Sequence, residues 1–209
     1  DAIKAYQGIQ LPIIAALILN GNNKDENVQD ERIEDFHAVV ISGFRIEGGK
    51  VVELYIHDDR IGPYIKVHPG GNFSEWRNKW VEEGSPYKKI FVDKLLIPVY
   101  PKIRLNFPRI YSVYLDAKRE GEKYNISAQL FLTTIRDYKQ FLLDHDFDNK
   151  EEVLIKPMPK FLWIIRHCSN EVKLFDLVYD GTAVFADRSI MDISYHDLEN
   201  SISSLALED

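Results

Sequence analysis

The segment that most constrains the fold is FHAVVISGFRIEGGKVVELYIHDDRIGPY, residues 36–64. Two runs of alternating apolar residues flank Gly48 and Gly49, and paired glycines in this position predict a β-hairpin with a two-residue turn. In that hairpin Glu47 faces Lys50, and this pair sets the register of both strands. A slip of one residue would move the whole apolar set to the opposite face.

The predicted register places a histidine and a carboxylate at the outer end of one face. Side chains alternate between the two faces of a strand, so His37 shares its face with Asp58. The two residues lie diagonally across the strands, where Cβ atoms are about 7–8 Å apart. If the turn instead holds three residues, Asp59 takes the place of Asp58. Polar residues also gather at strand ends simply because water is there, which is the non-catalytic alternative.

A carboxylate beside a histidine fixes the tautomer of the ring and stabilises the imidazolium. This is the arrangement that a general base needs when it activates a nucleophile. The hairpin therefore predicts that His37 is a candidate base and Asp58, or alternatively Asp59, is the acid that orients it.

Composition excludes several other classes of function. The net charge is -7, and Lys and Arg nowhere form the basic stripe that nucleic-acid binding requires. The apolar run 11–19 contains Pro12 and is too short to span a membrane. The single cysteine, Cys168, excludes an intramolecular disulfide and favours a reducing compartment, so we expect a cytoplasmic protein. No phosphate-binding loop or metal-ligand spacing is evident, and we expect neither a cofactor nor a metal.

The order of predicted elements favours an α+β fold, because strands and helices alternate without βαβ regularity. We expect a sheet region over 1–85 that contains the hairpin, and a mixed α/β region of unassigned role over 86–209. The predicted strands cover 9–20, the two arms of the hairpin, 88–100, 126–132, 160–168 and 172–185. The predicted helices cover 74–83, 108–121, a segment from Thr134 through Leu142, and 194–207, and residues 61–72 are predicted as an irregular loop.

Three quoted segments carry a family resemblance: GIQLPIIAALIL, HAVVISGF and VVELYIHDDRIGPY. Together they resemble the later half of a papain-like cysteine peptidase, in particular the bacterial branch that includes bacteriocin-leader peptidases. The resemblance covers about residues 8–64. It implies an antiparallel sheet half-domain, a hydrolase that acts on peptide or protein substrates, His37 as the base and Asp58 as the orienting acid.

The chain departs from that family in its cysteine. Papain-like enzymes carry the nucleophilic cysteine on a helix before the histidine, whereas no cysteine precedes position 168 here. We expect the nucleophile to lie upstream of Asp1. Alternatively, the protein is a non-catalytic interaction module on a peptidase-like scaffold. A third possibility recruits Cys168 itself, although a thiol inside the apolar strand FLWIIRHC is more often a small buried hydrophobe.

The segment DHDFD, residues 144–148, brings carboxylates and a histidine together and could bind a hard cation. It lacks the glycine and the distal glutamate of a calcium loop. A solvated helix end is therefore the preferred interpretation.

Overall fold

The backbone pairs into two separate antiparallel sheets, one of which closes into a barrel. The computed structural model describes residues 1–22, 32–70, 75–77, 87–147, 149–170 and 172–195. Two compact units result: Leu11–Pro98, and Asp1–Gln10 together with Val99–Asp209. Helices and antiparallel strands both contribute, so the chain is α+β as predicted. The division differs from the expected boundary between 85 and 86, because the strand that follows residue 86 closes the barrel.

The unit Leu11–Pro98 contains the barrel, and we call it the barrel unit. Each strand pairs with its neighbour in sequence, and the first strand pairs with the last. Within the described residues the barrel strands are β1 Ile13–Asn22, β2 Arg32–Glu47, β3 Lys50–Asp58, β4 Gly62–Pro69, β5 Glu75–Arg77 and β6 Tyr87–Leu96.

Alternating apolar residues fill the interior of the barrel. In β1 the inward positions Ile13, Ala15, Leu17 and Leu19 are all buried, as expected where a strand places every second side chain on the core face. The strands β3 to β6 contribute further buried side chains: Leu54, Ile56, Val67, Trp76 and Ile90.

The predicted hairpin is present as β2 and β3. Glu47 pairs with Lys50, and both turn glycines have positive φ, 53° at Gly48 and 73° at Gly49. The register is interrupted twice. Val52 is an extra residue on β3 and Ser42 is an extra residue on β2, so the second irregularity reverses the first. The central pairing predicted from the turn is therefore wrong by one residue, whereas the pairing near His37 is as predicted.

Two predictions in the middle of the barrel unit are wrong. Residues 62–69 form β4, which pairs with β3, although their glycines and prolines predicted an irregular loop. Hydrogen bonding to β3 and burial of Val67 outweigh the local turn signals. Glu75–Arg77 is the strand β5 and not the start of a helix. The rest of the helix predicted over 74–83 lies outside the described residues.

The second unit, which we call the sheet unit, joins a four-stranded sheet to helices. Each strand of this sheet pairs with its neighbour in sequence, so the first and the last of them form the two edges. Its described elements are α1 Ala2–Tyr6, a 3-10 turn at Gln7–Ile9, α2 Phe107–Glu122, β7 Ser127–Thr134, α3 Ile135–Leu143, α4 Lys150–Ile155, β8 Phe161–Ser169, β9 Val172–Asp180 and β10 Met191–Ser194.

Local signals explain the predicted helices of the sheet unit. The Asn106 side chain accepts a hydrogen bond from the Arg109 amide at the start of α2, and Pro108 occupies its first turn. Thr134 caps α3 by accepting from the Asp137 amide. The second predicted hairpin is present as β8 and β9. The helix predicted over 194–207 is wrong at its first residue, because Ser194 ends β10, and residues 196–207 lie outside the described residues.

A charged network is buried in the core of the sheet unit. The Asp176 carboxylate on β9 receives two hydrogen bonds from the Arg166 guanidinium on β8, both 2.8 Å long. The hydroxyls of Tyr138 and Tyr195 each donate to Asp176 at 2.9 Å. Burial, reinforced by this carboxylate, raises the pKa of both tyrosines. A buried charge with this many donors is fully compensated, so we assign the network to structure.

None of the helices in the described ranges has the length and apolar character needed to cross a bilayer.

Candidate active site

His37 lies near one end of the barrel, on β2. Its backbone pairs with that of Leu17 on β1, and the strand alternation directs its side chain to the same face as the buried residues Val39 and Ile41. The imidazole is only 6% exposed. β1 therefore fixes the backbone at His37, and the ladder with β3 begins three residues later, at Val40.

Asp58 ends β3, and its carboxylate is held from two sides. One oxygen, Oδ1, accepts hydrogen bonds from the backbone amides of Arg60 at 2.8 Å and Ile61 at 3.1 Å. The other oxygen, Oδ2, lies 3.1 Å from Nε2 of His37. The Asp58 side chain is fully buried. The turn after β3 thus orients the carboxylate, and the carboxylate orients the imidazole.

The hydrogen bond with Asp58 determines the tautomer of a neutral His37. A carboxylate only accepts hydrogen bonds, so Nε2 carries the proton and donates it. The lone pair of the neutral ring is then on Nδ1. If Nδ1 takes up a proton, Asp58 stabilises the positive charge of the imidazolium.

Asp59 also approaches the imidazole, from the solvent side. Its Oδ1 lies 3.5 Å from Nε2 of His37, and its side chain is 79% exposed. The sequence presented Asp58 and Asp59 as alternatives that depend on the length of the turn. In the two-residue hairpin both carboxylates reach the same nitrogen, and Asp58 is the closer and the more buried of them.

A second polar cluster lies beside the turn after β3. The Tyr87 hydroxyl on β6 donates to Asp35 on β2 at 2.8 Å, and the Arg60 guanidinium lies 3.6 Å from the same carboxylate oxygen. The hydroxyl of Tyr87, aided by the Phe36 amide and Arg60, lowers the pKa of Asp35, and the same contact raises the pKa of Tyr87. These contacts join the turn that carries Asp59 to β2 and β6.

A surface cavity of about 410 Å³ lies beside His37. Apolar side chains and two carboxylates form its walls. The lining residues are Ala16, Leu17, Phe36, His37, Ala38, Asp59 and Asp93. Asp93 on β6 had no signal in the sequence, because it reaches this cavity only through the closure of the barrel between β1 and β6.

Cys168 lies in the sheet unit, on β8. It is 6% exposed, and burial raises the pKa of its thiol. Both properties disfavour the thiolate, which is the reactive form of cysteine. They are the properties of a small apolar core residue.

The segment 144–148 follows α3, and Asp148 lies outside the described residues. The His145 ring donates through Nδ1 to the Phe141 carbonyl at 2.8 Å, which places it against the end of that helix. Lys150 donates to the carbonyls of Leu143 and His145. Within the described ranges, the one group of three side chains with metal-ligating geometry is instead His37, Asp58 and Asp59.

Comparisons of the chain with protein-family models, with curated proteins and with solved structures find no match.

Proposed function

We propose that this protein contributes the base and the orienting acid of a papain-like thiol hydrolase that acts on peptide or protein substrates. The observation that carries the proposal is the contact between His37 Nε2 and Asp58 Oδ2 at 3.1 Å, with Asp58 anchored by two backbone amides. A polar residue that merely ended a strand in water would be exposed, whereas the Asp58 side chain is fully buried against the imidazole.

In the proposed mechanism Nδ1 of His37 accepts the proton of a cysteine thiol. The proton bound to Nε2 stays in the hydrogen bond with Asp58, whose charge stabilises the resulting imidazolium. The thiolate attacks the substrate carbonyl, and the imidazolium then returns its proton to the leaving amine, which leaves the acyl group on sulfur as a thioester. Water, deprotonated by His37, attacks the thioester and releases the acid, and the proton returns to the thiolate. General acid–base groups of this kind contribute about 10²–10⁴-fold to the rate.

The nucleophile in this proposal comes from outside the 209 residues. Cys168 is the single cysteine of the chain, and its burial and raised pKa make it a poor source of thiolate. The closed antiparallel barrel and the placement of His37 and Asp58 on successive strands support the papain-like assignment. The cavity beside His37 provides space for a substrate side chain.

The alternative is a non-catalytic interaction module on the same scaffold. The absence of a suitable cysteine within the described residues favours it, because a base without a thiol has nothing to activate. The two functions differ in whether the natural gene product contains a cysteine that depends on His37 for its reactivity.

A thiol-directed activity probe separates them. The natural gene product would be labelled in a Cys168→Ser background, so that the buried thiol does not contribute. We expect His37→Ala to slow labelling by about 10²–10⁴-fold. His57→Ala is the matched control, because His57 lies on β3 and its ring contacts Tyr64 rather than Asp58; we expect it to label at the parent rate.

Two results would contradict the proposal that the protein is a thiol hydrolase. Equal labelling of the His37→Ala and His57→Ala variants would exclude His37 as the base. No labelling of the Cys168→Ser parent, with the protein folded, would favour the interaction module.

A further inference from the structure

Three atoms that could ligate a metal lie close together at the barrel end, one each from His37, Asp58 and Asp59. The proposed catalytic base uses only the first two of these residues. Nε2 of His37 lies 3.1 Å from Asp58 Oδ2 and 3.5 Å from Asp59 Oδ1. All three donors lie within 4.8 Å of one another. The proposed hydrogen bond needs only the first carboxylate, so Asp59 has no part in the mechanism described above.

The spacing of these atoms matches that of a tetrahedral zinc site. Zinc bonds to imidazole nitrogen and to carboxylate oxygen are about 2.0–2.2 Å long, which places tetrahedral ligand atoms about 3.3 Å apart. The two measured separations from Nε2 lie on either side of that value. The two carboxylate oxygens lie no more than 4.8 Å apart, so a cation would draw them together while the imidazole stays in place.

Two of the ligands are already fixed in place. The two amides that hold Asp58 Oδ1 leave Oδ2 pointing at the imidazole, and outer contacts of this kind orient metal ligands and strengthen binding. The third ligand, Asp59, is exposed and lines the cavity beside His37. A cation can therefore enter through the cavity, and its fourth coordination position can hold water.

We propose that His37, Asp58 and Asp59 form a binding site for a divalent transition metal, with Zn²⁺ as the matching ion. Two carboxylates and a neutral imidazole give the site a charge that Zn²⁺ neutralises. The imidazole favours Zn²⁺ over Mg²⁺ and Ca²⁺, which prefer oxygen ligands in larger number.

Bound Zn²⁺ would also regulate the base, a consequence that rests on the proposed function. The metal takes the lone pair of Nε2, so the ring proton moves to Nδ1, or leaves to solvent if the ring was an imidazolium. Nδ1 then has no lone pair to accept the thiol proton. Metal binding therefore converts an active base into an inactive ring, and a chelator reverses the change.

Calorimetric titration with zinc chloride, after removal of metal with a chelator, tests the site directly. The titration uses a Cys168→Ser background, so that a thiol cannot contribute. We expect saturable binding of one ion per chain. Asp59→Asn removes a ligand from an exposed position and should weaken binding by at least the roughly 10- to 100-fold that loss of an outer contact costs.

Asp93→Asn is the matched control, since Asp93 lines the same cavity but does not belong to the cluster of three donors. We expect its zinc affinity to equal that of the parent. Equal affinity of the Asp59→Asn variant and the parent would overturn the proposal, as would equal weakening by both substitutions. Thermal melting of each variant without metal verifies that it is folded.

The binding result is independent of enzymatic activity. Zinc binding that depends on Asp59, in a protein with no labelled thiol, would sustain the metal site and reject the hydrolase. Thiol labelling that depends on His37, in a protein that does not bind zinc, would support the hydrolase and reject the metal site.

Discussion

At the scale of single residues, His37 and His167 have opposite environments. His37 faces two carboxylates at the barrel end. His167 on β8 is 4% exposed and stacks on Phe175 with ring centroids 4.1 Å apart. Burial lowers the pKa of His167, and the charge of Asp176 only partly opposes this effect. Burial thus holds the His167 ring neutral, whereas the His37 ring lies against carboxylate oxygens.

The lowered pKa of His167 predicts a loss of stability in acid. The native state favours the neutral ring, so the unfolded chain binds more protons once the pH falls below its ordinary pKa of about 6.5. The contribution to stability is complete above that pH and is lost as the pH falls toward the folded pKa. The slope is at most about 1.4 kcal/mol per pH unit.

Urea unfolding at several pH values between 8 and 5 measures this effect, and His167→Gln supplies the comparison because glutamine does not titrate. We expect the stability difference between parent and variant to shrink as the pH falls. A difference that stays constant over this range would show that His167 is not held neutral.

At the scale of elements, the β2–β3 hairpin is the structure on which the candidate site depends. Its turn requires a left-handed backbone at both Gly48 and Gly49. Asparagine is favoured at the first position of such a turn, whereas a β-branched side chain is strongly disfavoured there. Apart from Gly48 itself and its two chain neighbours, no described atom lies within 4 Å of the place where a Cβ would sit at Gly48, so the backbone conformation is what opposes substitution.

Substitutions at Gly48 therefore separate conformation from packing. We expect Gly48→Asn to leave the free energy of unfolding nearly unchanged, and Gly48→Val to lower it by about 1–2 kcal/mol or more. Urea denaturation of the two variants beside the parent measures both values. Equal stabilities for asparagine and valine would mean that the turn does not have the left-handed conformation.

At the scale of the whole molecule, each unit has its own set of fully buried side chains. Leu54 is among those of the barrel unit, and Leu162 is among those of the sheet unit. Removal of buried methyl groups costs lost transfer energy and leaves a cavity, in total about 2–5 kcal/mol for leucine to alanine.

Amide hydrogen exchange with Leu54→Ala and Leu162→Ala tests whether the two cores are separate. We expect Leu54→Ala to reduce protection most in the barrel strands and Leu162→Ala to reduce it most in β7, β8 and β9. The same pattern of lost protection in both variants would indicate one cooperative core.

The sequence predicted the parts of the fold that depend on local signals. The glycine turn located β2 and β3, the Thr134 cap located α3, and Asn170 with its positive φ joins β8 and β9 as expected. The strands β4 and β5 were missed, because pairing with the strands before and after them stabilises segments whose own residues signal loops.

The candidate site likewise has a part that local sequence signals predict and a part that depends on the folded structure. The hairpin register brought His37 and Asp58 together in the prediction, and the structure places them in contact. The catalytic roles of the two residues stay predictions. The participation of Asp93 depends on barrel closure, and the simultaneous approach of Asp59 depends on the geometry of the turn. Neither has a signature in the order of residues.

The paired irregularities at Ser42 and Val52 have a consequence for how this hairpin can vary. Each of these residues is unpaired between two paired neighbours, so deleting either one alone would remove one irregularity and leave all the pairs of the ladder unchanged. The meeting of the imidazole end of β2 with the carboxylate end of β3 therefore does not depend on either extra residue. The two arms of the ribbon can each lose one residue independently while their ends stay in step.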